Sequence, residues 1–154
     1  MTDESFDLSV TRLIDAPLEV VWRAWVDHTT EWYCPEPWHA EIVERDLRPG
    51  GQSSMIFHGP EGEAMPVEGV FLEVLPQRRI VATDAFAAGW APRQPFLVRI
   101  DAFAPEGGGT RYTATARHWT AVARDQHIAM GFDTGWNTAT DQLAAVARRL
   151  TVRH

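Results

Sequence analysis

The chain has 154 residues, 45% hydrophobic and 23% charged, with a formal net charge of −7 and a single cysteine. That length supports a core without a disulfide or metal staple, and the composition is ordinary for a folded globular domain, which excludes disorder and fibrous arrays. An acidic balance without a cationic cluster argues against nucleic acid, and the absence of lysine excludes Schiff-base chemistry, since all 14 cationic side chains are arginine.

In chain order, the opening MTDESFDL lacks a cationic region followed by an apolar run, and no later segment approaches membrane-spanning length. A cytoplasmic protein without membrane insertion is expected, and the lone cysteine fits a reducing compartment. FDLSVTRLI (residues 6–14) reads as a first strand. In DAPLEVVWRAWVD, Leu18, Val21, Trp22, Trp25 and Val26 recur at helical spacing behind Pro17, which predicts an amphipathic helix.

EWYCPEPWH (residues 31–39) follows, two tryptophans and a tyrosine in a stretch broken by two prolines. It is either the wall or lid of a ligand cavity or plain core filler, because both draw on the same residue types. AEIVERDL resumes strand character before the Gly50–Gly51 turn. QSSMIFH, MPVEGVFLEVL, IVATDAF, PFLVRIDAF and TRYTATARHW then succeed one another with short glycine and proline turns and the loop AAGWAPRQ between them. Successive antiparallel hairpins are the expected result.

Two of these strands alternate cleanly. Phe96, Val98, Ile100 and Ala102 oppose Leu97, Arg99, Asp101 and Phe103, while Tyr112, Ala114, Ala116 and His118 oppose Arg111, Thr113, Thr115 and Arg117. A single long helix is predicted from about Ala121 to Leu150, with Ile128, Phe132, Trp136, Ala139, Leu143 and Val146 in its apolar stripe and Asp133, Asn137 and Asp141 on another face. No repeat or linker divides the chain, so one domain over residues 1–154 is expected. Strands in succession with helices kept to the ends indicate an α+β fold, in which a sheet with one apolar face wraps the long helix.

IDAPLEVVWRAW, EWYCPEPW, DLRPGG, VEGVFLEVLPQRRIVAT and MGFDTGWNTATDQLAAV, in this order and spacing, resemble the START-like (SRPBCC, helix-grip) superfamily. Within it, they resemble bacterial proteins related to the C-terminal domain of the heat-shock-protein-90 ATPase activator. The resemblance covers nearly the whole chain. It implies a curved antiparallel sheet gripping the C-terminal helix, two short helices after the first strand, and a cavity that holds apolar molecules in relatives. It says far less about chemistry, since one fold serves carriers, cyclases, hydrolases and co-chaperone domains.

The residues expected to face a ligand are Trp32, Trp38, Met55, Phe57, Phe86, Trp90, Phe96, Tyr112, His118, Met130 and Phe132. His118, Tyr112 and Asp133 are the candidates for moving a proton, His118 because alternation puts it on the proposed inner face with Tyr112. The competing assignment for His118 is a core histidine bonded to backbone. Cys34 lacks an evident activating partner and is expected to be inert. His39, His58, His118, His127 and Cys34 show no metal-ligand spacing, so neither metal nor other cofactor is expected.

These observations favour binding of a small apolar or aromatic molecule between sheet and helix. The alternatives are a protein-interaction module that binds a chaperone, which ranks second as a partner, and an enzyme of the polyketide cyclase or dehydratase kind. A homodimer is compatible with all three.

Overall fold

The computed structural model describes residues 6–152. The elements run β1 (Asp7–Ile14), α1 (Leu18–Asp27), α2 (Thr29–Trp32), β2 (His39–Arg45), β3 (Gln52–His58), β4 (Ala64–Leu75), β5 (Arg79–Thr83), β6 (Phe86–Ala87), β7 (Ala91–Pro92), β8 (Leu97–Glu106), β9 (Gly109–His118), α3 (Ala121–Ala129) and α4 (Phe132–Val152). Seven strands form one sheet in the order β1-β9-β8-β5-β4-β3-β2, and β6 and β7 make a separate two-stranded ribbon. Every neighbouring pair in the large sheet is antiparallel. The expected α+β helix-grip arrangement is present, with α1, α2 and α4 on one face of the sheet.

The concave face follows from alternation. Val10 and Ile14 of β1, Tyr112 and Ala114 of β9, Phe103 of β8, Ile80 of β5 and Phe71 of β4 are all buried. Most of them pack with Val20, Val21, Ala24 and Trp25 of α1 and with Ala139, Leu143, Ala144 and Ala147 of α4 in one cluster. Burial of this apolar area, at about 25 cal/mol per Å2, is the main force holding the helices to the sheet.

The C-terminal segment departs from the expected single helix. It is two helices, because Gly131 adopts φ +94°, a left-handed conformation that α-helix cannot continue through. Thr120 caps the first by accepting the Ala123 amide at 3.0 Å. The stripe divides accordingly: Phe132, Ala139, Leu143 and Val146 of α4 are buried, whereas Ile128 of α3 is exposed. The loop AAGWAPRQ likewise contains part of β6 and all of β7.

Two bulges reset the alternation. In β2, Ile42 pairs with Met55, but the next register is Glu44 with Ser54 and Arg45 with Ser53. One extra residue therefore turns Arg45 to the same face as Ile42, where strict alternation would have placed Glu44. In β4, a similar shift between Phe71 and Glu73 leaves Phe71 opposite Ala82 and Val74 opposite Ile80. Phe71 and Val74 consequently both contribute to the interior cluster.

Candidate ligand site

The concave face of β8 carries charge where a hydrophobic strand would carry only apolar groups. Arg99 and Asp101, two residues apart and therefore on one face, form a two-pronged ion pair: Arg99 Nε donates to Asp101 Oδ2 at 2.9 Å and Nη2 to Oδ1 at 3.1 Å. The Asp101 side chain is 1% exposed and that of Arg99 is 14% exposed. Such a pair survives burial only if its remaining hydrogen-bonding capacity is met. Asp101 Oδ1 also accepts from Trp25 Nε1 at 3.2 Å and from the Tyr112 hydroxyl at 2.5 Å.

Aromatic faces complete the enclosure. The Arg99 guanidinium lies between the rings of Tyr33 and Trp136, 4.6 and 4.4 Å from their centroids. Both tyrosines of the chain thus touch this pair. Burial pulls against the Arg99 cation, but the Asp101 carboxylate together with the Tyr33 and Tyr112 side chains outweighs it and holds the pKa well above the usual arginine value. Burial, and then the Asp101 charge, push the Tyr112 phenol well up, and burial raises Tyr33.

Beside this assembly lies a cleft of about 30 Å3, bounded by Trp25, Thr29 and Tyr33 on the helical side and by Ile42, Met55, Phe71, Ile80, Ala82, Arg99 and Asp101 of the sheet. Glu44, Arg45 and Ser53 complete its lining, and α4 contributes none of it: where a cavity between sheet and C-terminal helix was expected, Ala139, Leu143, Ala144 and Ala147 pack into the core instead. Arg45 enters because of the β2 bulge. Its Nη1 donates to the Val26 carbonyl and to Thr29 Oγ1, both at 2.9 Å, and its guanidinium sits 5.3 Å from the Trp25 ring centroid. Burial pulls its pKa down. Tyr33 and the exposed Asp27 at the end of α1 oppose that shift, but among the described residues Arg45 forms no ion pair within 4 Å.

A second polar group lies beyond Trp136, whose ring touches both Arg99 and His127. His118 Nδ1 donates to the Phe6 carbonyl at 2.7 Å, so in the neutral ring its Nε2 accepts, and His127 Nδ1 supplies the proton at 2.9 Å. This assigns the unprotonated nitrogen of His127 to Nε2. The rings of Phe96, Phe132 and Trp136 pack around His127, and burial, with His118 next, pushes its pKa down to about 4.

The residues singled out from sequence fall into several places. Met55 lines the cleft, and the Phe57 ring contacts the Tyr33 ring at 5.9 Å. Trp32 is buried in the core against Trp25 and Tyr33, whereas Trp38 is half-exposed beside Gly59. Phe86 and Trp90 form an edge-on pair on the β6–β7 ribbon, and Trp90 is half-exposed. Phe96, His118 and Phe132 gather around His127, Met130 is 72% exposed, and Tyr112 serves Asp101. Asp133 is exposed and accepts from Asn137 Nδ2 at 3.2 Å, so His118, Tyr112 and Asp133 do not form one catalytic group.

Cys34 is buried, and desolvation pushes its thiol up to about 11. Arg99, Asp101, Arg45, Tyr33 and Trp25 were not singled out from sequence as site residues. The usable signal for the first two was an Arg-x-Asp pair on the same strand face as Phe103. Among the described residues, no three His, Cys, Asp or Glu side chains converge on a metal-sized site, and no helix is long and apolar enough to cross a membrane.

Residues 15–148 match the family described as Activator of Hsp90 ATPase homolog 1-like protein. The chain belongs to that family. A crystal structure of a Nitrosomonas europaea protein is 34% identical, with a TM-score of 0.91 over 98% of this chain and 99% of its own. A Mycobacterium smegmatis protein is 25% identical, TM-score 0.78, over 94% and 95% of the two chains. The AHSA1 protein of Silicibacter pomeroyi, at 20% identity and TM-score 0.71 over 96% and 99%, shares the fold. No curated protein is significantly similar. The fold of this homolog 1-like family is of the START type, a scaffold used for ligand binding or partner interaction.

Proposed function

We propose that this chain binds a small molecule in the cleft between the α1–α2 segment and the concave sheet. The observation that carries this reading is the convergence of Trp25, Tyr33, Phe71 and Met55 with a few polar groups, Arg45, Ser53 and Arg99, on one opening. Rings supply rigid apolar area, and sparse polar anchors fix orientation. The cleft floor, at about 30 Å3, holds only about two waters, so the body of a larger ligand sits in the mouth or displaces Tyr33 or Met55. Asp101, the buried carboxylate of the lining, is engaged by Arg99, Trp25 and Tyr112, which favours binding over cyclase-type turnover. Native mass spectrometry of protein purified from its own host tests the proposal. A retained small molecule that is lost on changing Tyr33→Ala supports it; a retained molecule unaffected by that change overturns this location.

A second reading has one observation behind it. Trp119, Val122, Ile128 and Met130 are large, apolar and at least half exposed within twelve residues around α3, and Trp119 borders an open groove of about 480 Å3 with Phe6, Val98 and Ile100. Clustered exposed apolar area marks interaction surfaces. This is where the family's association with a chaperone ATPase would act. Calorimetric titration into heat-shock protein 90, with Trp119→Ala and Met130→Ala each weakening any binding, distinguishes the two readings.

A further inference from the structure

Resting on the small-molecule reading above, we infer that the ligand carries an anionic head, a carboxylate or a group of similar shape, and that Arg45 receives it at the floor of the cleft.

Three independent features converge on this. The first is charge. Arg45 and Arg99 both line the cleft, and the only buried carboxylate there, Asp101, is already joined to Arg99 through two hydrogen bonds. Glu44 lines the cleft too, but it is exposed, where water screens it. Asp27, whose charge also acts on Arg45, is likewise exposed, so the interior itself holds one more cation than carboxylates, on a chain whose net charge is −7. A lone half-buried cation is costly unless something compensates it.

The second is donor geometry. Arg45 Nη1 is committed to the carbonyl of Val26 and the hydroxyl of Thr29, which ties the end of α1 to β2. That structural duty needs one nitrogen of three. Neither Nε nor Nη2 has a hydrogen-bond partner among the described residues, and neither is sealed from solvent. An arginine with its remaining donors beside a cleft is suited to a planar, two-oxygen acceptor.

The third is how Arg45 comes to be there. It faces inward through the β2 bulge, which pairs it with Ser53 on the same face as the cleft residues Ile42 and Met55. Bulges re-aim side chains and are over-represented beside active sites. The floor volume, about 30 Å3, suits a head group the size of the roughly two waters it displaces. An apolar or aromatic body would then lie against Trp25, Tyr33 and Met55.

The test is calorimetric titration of the full chain with a matched set of probes: acetate, phenylacetate and octanoate, each beside its neutral amide. At least one acid is expected to bind roughly tenfold or more tightly than its amide, as a charge-assisted hydrogen bond implies. Arg45→Gln should remove that preference, leaving each acid and its amide within about twofold of one another in affinity. If acids and amides bind equally well, the anionic head is wrong and the cleft reading stands. Acids preferred to the same degree by Arg45→Gln would also overturn it, because the anion would then sit elsewhere. If no member of either series binds, both fall. Should Arg45→Gln fail to fold, the acid-to-amide ratio of the unaltered protein decides alone.

Discussion

Arg99 and Asp101 stand two residues apart on one strand, joined by two hydrogen bonds, with the guanidinium clasped between Tyr33 and Trp136. The pair ties β8 to three other elements at once: Trp25 from α1, Tyr112 from β9 and Trp136 from α4. Removing one partner leaves an uncompensated buried charge. Asp101→Ala should cost about 3–5 kcal/mol, and Arg99→Leu a comparable amount. The double change Arg99→Leu/Asp101→Leu should cost less than the sum of the single changes, because no stranded charge remains. Urea unfolding of the four proteins gives the coupling directly.

His127 makes stability depend on acidity. His127 titrates at about 4 in the folded protein against 6.5 ordinarily, so between these values the unfolded state binds the extra proton. Stability is at its full value above about pH 6.5 and falls as pH drops through the window, and the loss amounts to about 3 kcal/mol once pH is below the folded value. His127→Phe should flatten the stability curve in that window, as read by urea midpoints at pH 4.5 and 7.5.

Cys34 should be slow to react. With its thiol pushed to about 11 by desolvation, the thiolate fraction at pH 8 falls roughly a hundredfold relative to an ordinary cysteine. Iodoacetamide should therefore label the native protein at least that much more slowly than the urea-unfolded chain. Equal rates would mean the thiol is open to solvent.

Gly69 admits no side chain. A Cβ there would lie 2.3 Å from the Thr83 carbonyl oxygen on the neighbouring strand, and the atoms it meets are all backbone, which cannot swing aside as a side chain would. Gly69→Ala should destabilise by about 3 kcal/mol or more through a forced strand shift, again read by urea unfolding.

Much of the architecture was legible because local pattern and global fold agree. QSSMIFH became β3 to the residue, the α1 stripe was right, and the inward set of β9 followed from alternation alone. Legibility ended where a single residue changes phase. Gly131 broke a helical stripe that otherwise looked continuous across its position. On β8, both faces hold apolar residues, so alternation could not say that the side bearing Arg99 and Asp101 faces inward; the register with Tyr112 and Ala114 decides that. Arg45 was hidden for the same reason, since one inserted residue in β2 exchanges it with Glu44. The aromatic segment answered in two parts: Trp32 fills the core, and its neighbour Tyr33 lines the cleft.

The irregular pairing within β2 has a further effect, because β2 is a border strand of the sheet. An unpaired border is a template onto which a strand of another molecule can zip, and a local kink flanked by carboxylates spoils that template. With Glu41 and Glu44 on either side of the irregularity, this margin is guarded against fibril-like growth. The device that turns a cation inward thus also keeps neighbouring molecules from adding on.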